Sequence, residues 1–183
     1  MSRLLPLLMA LPLGGLCFAQ TGQCDCDHSR RETLQTRNCS LCREADQQPP
    51  EPEIFYLKDN NPRKPNRWLV LLRAHGKGSH SLAGLPRPAR TLLWTAAVKK
   101  AQELWGDQWG LAYNGDTVRT QCHLHIHIGK LLTAAVTHRK VALVNGPAGI
   151  PAPKDGEGLW VHPQGRKLLV HLGEQICETV LLR

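Results

Sequence analysis

Three histidines alternate with apolar residues in the segment 123–128, which reads His-Leu-His-Ile-His-Ile. Successive side chains of a β-strand point to opposite faces, so this alternation predicts three imidazoles on one face and an apolar row on the other. Near neutral pH an imidazole can act as a nucleophile, a general acid or a metal ligand. The alternative, a polar edge facing solvent, requires no such repetition. His123, His125 and His127 are therefore the candidate chemical residues.

Short strands and one long helix are predicted around these histidines. Apolar runs and alternations predict strands over 53–58, 67–73, 109–114, 121–130, 141–144, 159–162 and 167–172. Apolar residues at helical spacing predict one long amphipathic helix over 88–105, and a short C-terminal helix is predicted over 174–182. Because strands outnumber helices and short turns join neighbouring strands, the predicted fold class is an antiparallel α+β domain.

The first nineteen residues carry one positive charge, Arg3, and then an apolar run that ends before Gln20. This pattern is typical of a secretory signal peptide cut after Ala19, which predicts a periplasmic or secreted protein. An uncleaved membrane anchor is the alternative. The predicted organisation is a signal peptide (1–19), an irregular cysteine-containing segment (20–52) and a sheet domain with C-terminal strands and helix (53–183).

The chain is basic, with 23 Lys and Arg residues against 15 Asp and Glu residues and a formal net charge of +8. Its basic residues form no run longer than two and aromatic residues are few, so a nucleic-acid partner is not expected. The charge fits an anionic small ligand or peripheral contact with an acidic membrane surface. The sequence is also compatible with a homodimer.

Two ordered motifs resemble the histidine-triad (HIT) superfamily. Residues 123–127 match its His-x-His-x-His signature, and residues 59–75, Asp-x-x-Pro-x-x-Pro-x-Arg-x-Leu-Val-x-x-x-x-His, are similar to its first half. The resemblance covers residues 39–130 and implies a HIT-like antiparallel sheet. Within the superfamily, residues 119–128 are most similar to bacterial CDP-diacylglycerol pyrophosphatases. Arg67 and Leu72 depart from the family, which commonly has His and Pro at these positions.

The resemblance implies an exported hydrolase or nucleotidyltransferase that cleaves a nucleotide phosphoanhydride, with nucleotidyl lipids such as CDP-diacylglycerol among the candidate substrates. It assigns the nucleophile to His125, which would form a nucleotidyl-histidine that water or another acceptor resolves. His127 would hold the phosphate or orient His125, and its alternative is a hydrogen-bonded strand residue. His123 completes the catalytic row.

Five further residues are candidate substrate contacts. The resemblance favours phosphate contacts from Asn114 and Gln121 and a ribose contact from Asp59. Thr120 lies in the same loop, and Arg119 could neutralise a second phosphate. Each of three residues has a local alternative, since Asn114 could begin a tight turn, Asp59 could form an Asx turn and Arg119 could be a solvated charge.

Cys39 and Cys42 are spaced as half of a tetrahedral metal site. Resemblance to zinc-containing members of the superfamily completes a structural zinc site with His75 and His123. His80 is the substitute ligand if His75 does not reach the metal. Two thiolates and two imidazoles are ligands that suit zinc.

The competing interpretation of the cysteines is redox chemistry. Export delivers the chain to an oxidising compartment, where the cysteines after the leader could pair as three disulfides. A zinc site together with one disulfide, from Cys24 or Cys26 to Cys122 or Cys177, would satisfy both interpretations. Two rival functions also follow: an export protein that captures zinc or copper without turnover, and a HIT-like module that binds nucleotide without catalysis.

Overall fold

The computed structural model describes residues 24–76, 80–132 and 140–183, so the predicted signal peptide lies outside the described residues. The described chain has two α-helices, α1 (Ser40–Asp46) and α2 (Arg87–Trp105). Its strands are β1 (Ile54–Lys58), β2 (Trp68–Leu72), β3 (Trp109–Tyr113), β4 (His125–Lys130), β5 (Val141–Val144), β6 (Gly158–Gln164) and β7 (Lys167–Glu174). None of the helices in these ranges is long and apolar enough to span a bilayer.

The seven strands form one antiparallel sheet in the order β1-β2-β4-β3-β6-β7-β5. The histidine strand β4 is therefore interior, and His127 pairs with Leu69 on β2 and with Ala112 on β3. The predicted α+β class is confirmed, and the predicted strands and the long helix agree with the structure to within a few residues, except at the start of β4.

One face of the sheet, called here the helix face, packs against α2. The helix buries one row of side chains against the sheet: Leu93, Trp94, Ala97, Val98 and Ala101. The apolar residues that alternate with the histidines, Leu124, Ile126 and Ile128, are buried in the same core. The prediction that this alternation sends an apolar row into a core is confirmed.

The opposite face, called here the histidine face, is covered at two separate places. Leu41 and Ala45 of α1 pack on β1 and β2 against Phe55, Leu69 and Leu71. A C-terminal 3-10 turn, Glu178–Val180, lies with Leu181 over Ala112 and Trp160. Paired residues on neighbouring strands share a face, so His125 and His127 lie between these two covers.

The histidine strand begins at His125, not near Gln121 as predicted. Just before the strand, Cys122 donates its backbone N–H to the carbonyl of Asn38 (2.8 Å) and accepts from the N–H of His80 (3.2 Å). A 3-10 helix and a loop, and not a neighbouring strand, therefore form the hydrogen bonds at this position. The segment before residue 53 is also more ordered than predicted, since it contains α1 and the 3-10 helices Arg31–Gln35 and Arg37–Cys39.

The predicted C-terminal helix over 174–182 is wrong. Strand β7 continues through Glu174, and a single 3-10 turn, Glu178–Val180, follows it. The chain then extends, because Leu181 pairs with Leu131 and Leu182 donates its N–H to the carbonyl of Lys130. Pairing with the end of β4 thus replaces helical hydrogen bonds.

Candidate functional site

The three histidines do not share one environment. His125 and His127 line a pocket on the histidine face, with ring centroids 4.8 Å apart. His123 precedes the strand, and its ring centroid lies 5.0 Å from that of His75 and 5.7 Å from that of His80. The row is therefore a pocket pair plus a separate buried histidine.

His125 is held in one tautomer by the backbone just before its strand. Its Nδ1 lies 2.8 Å from the carbonyl oxygen of His123. A carbonyl oxygen can only accept, so Nδ1 carries the hydrogen and Nε2 keeps its lone pair. Burial lowers the pKa of His125 to about 4, and the charge of Arg119 acts in the same direction. A neutral imidazole with one committed nitrogen is the form that a nucleophilic histidine needs.

His127 faces a carboxylate from the C-terminal turn. Its Nδ1 is buried, has no hydrogen-bond partner among the described residues, and lies 3.7 Å from Oε2 of Glu178. Burial and neighbouring His125 lower the pKa of His127 well below its usual range, while Glu178 opposes the shift. Burial alone would raise the pKa of Glu178, but the protonated form of His127 and the charges of Lys64 and Arg67 hold it at about 2. Glu178 is therefore an ionised carboxylate beside the histidine pair.

Arg67 fixes the turn that carries Glu178. Its guanidinium is buried and donates to the carbonyl oxygens of Leu182 (2.9 Å), Leu181 (2.6 Å) and Glu178 (2.8 Å), and to the Glu178 carboxylate (3.2 Å). A Cβ atom added at Gly129 would lie 3.2 Å from Cδ of Arg67, so a glycine there leaves space for this side chain. Arg67 thus has a structural role in this chain.

Asn114 also positions Glu178. Its Oδ1 accepts the backbone N–H groups of Cys177 (2.9 Å) and Glu178 (3.0 Å), while the residue lines the pocket. The side-chain oxygen is therefore committed to the C-terminal turn, and the amide nitrogen is the part of Asn114 that remains for a phosphate contact.

Gln121 connects the loop before β4 to the N-terminal segment. Its Oε1 accepts from Oγ of Ser40 (2.9 Å) and the N–H of Leu41 (3.3 Å), and its Nε2 donates to the carbonyl of Arg37 (2.9 Å). Both ends of the amide are thus engaged, although the residue lines the pocket. Thr120, its neighbour, is exposed at the pocket.

Asp59 and Arg119 line the same pocket and also make local contacts. Oδ1 of Asp59 accepts the N–H of Asn61 (2.9 Å), which is the Asx turn considered from the sequence. Arg119 is buried, donates to the carbonyl of His80, and pairs with Asp116 at 2.8 Å. The interpretation of Arg119 as a solvated loop charge is therefore wrong.

The pocket lies between α1 and the Glu178 turn and encloses about 520 Å³, a size typical of small-molecule sites. Three leucines form an apolar wall: Leu41, Leu57 and Leu69. Basic side chains outnumber acidic ones in the lining: Arg37, Arg43, Lys58, Lys64 and Arg119 against Glu44, Asp59 and Glu178. An apolar wall beside a basic, histidine-containing floor suits a ligand with a flat ring and a phosphate.

The cysteines contradict the predicted zinc ligands. Cys39 forms a disulfide with Cys26, and Cys24 forms one with Cys122, which is among the predicted pairings. Among the described residues, the one group of three or more possible ligand atoms within 4.8 Å of one another is Cys26, Cys39 and Cys122. This buried cluster could hold a metal only after reduction, because all three sulfurs are disulfide-bonded. The predicted four-ligand set does not fit this oxidised structure.

The remaining predicted ligands lie near one another. Cys42 is a buried thiol, and burial raises its pKa to about 12. His75 lies 3.0 Å from Asp46, and His80 donates from Nε2 to the carbonyl of Gly76. Nδ1 of His80 and Nε2 of His123 are buried and have no hydrogen-bond partner within the described ranges. These two ring nitrogens are thus unused, but within the described ranges no group of three ligand atoms within 4.8 Å of one another includes Cys42.

Glu178 and Lys64 were missed by sequence analysis. Lys64 lies inside the 59–75 motif, and its Nζ is 2.5 Å from Oε2 of Glu178. Glu178 falls in the predicted C-terminal helix, where a charged side chain is expected to be solvated. No signal in the sequence places it at β4, because that contact depends on the pairing of Leu181 with Leu131.

The site and fold together define a class: an α+β domain with a seven-stranded antiparallel sheet and a basic pocket around two buried histidines. No protein-family model matches this chain, and no curated protein matches it. Membership of the histidine-triad superfamily therefore stays a prediction from the sequence motifs.

Proposed function

We propose that the protein is an exported HIT-like hydrolase or nucleotidyltransferase that cleaves a nucleotide phosphoanhydride through His125. One observation carries the proposal: the hydrogen bond from Nδ1 of His125 to the carbonyl of His123, which leaves a lone pair on Nε2 at a basic pocket. The apolar wall would accept a base, and Asp59 lies in the lining where a ribose hydroxyl could be bound. Nucleotidyl lipids such as CDP-diacylglycerol are candidate substrates.

The reaction needs two displacements at phosphorus. In the first, Nε2 of His125 forms a bond to phosphorus while the phosphoanhydride P–O bond breaks and its electron pair leaves with the leaving oxygen. In the second, water or another acceptor attacks the same phosphorus, and the P–N electrons return to Nε2. The basic lining would neutralise the charge that accumulates on the phosphate oxygens.

Turnover of a defined substrate panel tests this proposal. The panel contains CDP-diacylglycerol, dinucleoside polyphosphates and nucleoside phosphoramidates, and released mononucleotide is measured. We expect His125→Ala to abolish turnover, His125→Gly with added imidazole to regain part of it, and an acid-labile nucleotidyl adduct to map to His125 in the wild type. His28→Ala, which removes an exposed histidine outside the pocket lining, is the matched control.

Undiminished hydrolysis by His125→Ala would overturn the mechanism. Tight nucleotide binding by the wild type with no turnover would favour the non-catalytic binding module. Metal uptake with neither binding nor turnover of any panel member would favour the metal-capture rival.

A structural zinc site is a second proposal, restricted to the reduced protein. Reduction of Cys26–Cys39 by a dithiol would return the Cys39 thiol to the buried cluster that also contains Cys42. Nδ1 of His80 and Nε2 of His123 have no hydrogen-bond partner among the described residues and are the candidate nitrogen ligands. Bound zinc would supply a closed cross-link between the N-terminal segment and the loop before β4. We expect about one zinc per reduced chain by elemental analysis, lost in Cys42→Ala and kept in Cys177→Ala. Zinc retained by Cys42→Ala would reject this ligand set.

The cellular location is also part of the proposal. Two disulfides are typical of an oxidising compartment, which supports export to the periplasm or beyond. Peripheral membrane contact would bring a nucleotidyl lipid to the pocket. Mass spectrometry of protein from its native host should find a chain that begins near Gln20, and an intact Met1 terminus in the cytoplasm would contradict export.

A further inference from the structure

The carboxylate of Glu178 suggests where the proton for the leaving group is held. We infer that Glu178 is a positioning residue that lets His127 carry a second proton when an anionic phosphate fills the pocket. His127 then delivers this proton to the leaving oxygen. The inference rests on the proposed function and adds to it a proton donor and the residue that sustains that donor.

The geometry places the two ring nitrogens of His127 in different roles. Nδ1 is buried without a hydrogen-bond partner in the described part of the chain, and Oε2 of Glu178 is 3.7 Å away. That separation permits an ion pair with a protonated ring, and a small movement would close it to a hydrogen bond. Because Nδ1 faces the carboxylate, Nε2 is the nitrogen left to meet a ligand in the pocket that His127 lines.

The charges around His127 link its protonation to ligand binding. Glu178 approaches from the C-terminal turn, Lys64 and Arg67 from the segment that enters β2, and His125 from the same strand. Its cross-strand partners, Leu69 and Ala112, are uncharged. In the ligand-free pocket, burial and the two cations favour the neutral ring. A bound phosphate adds negative charge, so an imidazolium would then lie between two anions.

Lys64 is a weaker candidate for the proton donor. Its ammonium is paired with Glu178 at 2.5 Å, and Arg67 does not lose its proton under ordinary conditions. His127 is the remaining group beside His125 that can gain and lose a proton near neutral pH once a phosphate is bound.

The proton then moves through both displacements in balance. As Nε2 of His125 bonds to phosphorus, the P–O bond breaks and the leaving oxygen takes the Nε2 proton of His127. When water attacks the nucleotidyl-histidine, Nε2 of His127 accepts one proton from that water while the P–N electrons return to His125. His127 ends in the state in which it began.

Calorimetry can test the linkage without turnover. AMP is titrated into the protein near neutral pH in buffers of different ionisation enthalpy, which reports the protons taken up per AMP bound. We expect measurable uptake by the wild type, most of it lost in Glu178→Gln and largely kept in Glu178→Asp. In a His127→Gln background, Glu178→Gln should change uptake no further. Glu103→Gln, an equal charge change on α2, is the control.

Kinetics give a second readout that a merely structural role would not produce. Glu178→Gln should lower kcat by about tenfold for substrates with poor leaving groups, the factor that corresponds to one pKa unit. It should affect a p-nitrophenyl nucleotide ester much less, because that leaving group needs no proton. Glu178→Asp should restore most of the loss.

The outcomes separate the inference from the proposed function. Equal proton uptake by the wild type and Glu178→Gln, with nucleotide turnover intact, overturns the inference alone. Proton uptake that depends on Glu178, with no turnover of any nucleotide, overturns the proposed function and leaves the linkage standing. No AMP binding by the folded wild type overturns both.

Discussion

The two faces of the sheet are stabilised in different ways. The helix face is covered by one continuous helix whose buried residues repeat at helical spacing. The histidine face is covered by two short pieces, α1 and the Glu178 turn, which are fixed by disulfides, by Gln121 and by Arg67. Continuous apolar burial under one helix therefore stabilises the helix face, whereas the histidine face combines two small apolar clusters with individual covalent and polar contacts.

The difference between the two faces explains why the pocket lies on the histidine face. A densely packed apolar face has no space for a ligand, since protein interiors are close-packed. Two separate covers leave a gap, and the gap exposes His125 and His127 to the pocket. Each polar contact that holds a cover is consequently also a contact that shapes the site.

Removing the disulfides should cause the largest loss of unfolding free energy, and the two disulfides should contribute unequally. The Cys24–Cys122 bond closes a separation of 98 residues and the Cys26–Cys39 bond one of 13. Loop-closure entropy predicts that the free energy of unfolding falls by about 4.7 kcal/mol without the Cys24–Cys122 bond and by about 3 kcal/mol without the Cys26–Cys39 bond. Urea unfolding of the two double Cys→Ala variants measures both, with Cys177→Ala as control. Equal losses of unfolding free energy would show that loop length does not determine how much each disulfide stabilises the histidine face.

Neighbouring residues of β4 test the two faces directly. Ile126 is fully buried on the helix face, so Ile126→Ala should lower the free energy of unfolding by about 2–5 kcal/mol. His125→Ala, one residue away, should cost much less because its imidazole lines the pocket and lies outside the helix-face core, yet it should abolish turnover. A stability loss from His125→Ala as large as that from Ile126→Ala would break the comparison.

The two faces should also respond differently to acid. The folded pKa of Glu178 lies at about 2, below its unfolded value of 4.5, so its contribution to stability is complete above pH 4.5 and is lost as the pH falls toward 2. The contribution is up to about 3 kcal/mol at neutral pH. Unfolding measured at several pH values should show this loss in the wild type and a smaller one in Glu178→Gln. If the free energy of unfolding of Glu178→Gln depended on pH as steeply as that of the wild type, the assignment of this stabilisation to Glu178 would be wrong.

The smallest effect is expected at Gly129. A Cβ atom there would lie 3.2 Å from Cδ of Arg67 and 3.2 Å from Cβ of Leu181, so Gly129→Ala should cost about 1 kcal/mol and displace the Glu178 turn. Gly146→Ala is the control, because nothing lies within 4 Å of its added Cβ. The thermal unfolding temperature and kcat should both fall in Gly129→Ala and stay unchanged in Gly146→Ala. A loss of stability with full activity would show that Arg67 does not support the site.

The sequence predicted the helix face well and the histidine face poorly, for a physical reason. Periodicity records repeated burial, and α2 and the Leu124–Ile126–Ile128 row each bury a repeated pattern. Contacts such as Gln121 with Ser40 or Arg67 with Leu181 are single events between distant segments. Such contacts produce no periodicity in the sequence. The sequence therefore could not place Glu178 at β4, and it could not distinguish a disulfide at Cys39 from a zinc ligand.

The Cys24–Cys122 disulfide has a consequence for proteolysis. It makes a closed covalent ring of the chain from the N-terminal segment to the residue before His123, enclosing β1, β2, α2 and β3. A protease that cuts once anywhere within this ring would leave both fragments joined. The nicked protein should therefore migrate as one full-length species on a non-reducing gel and separate into two pieces only after a thiol is added.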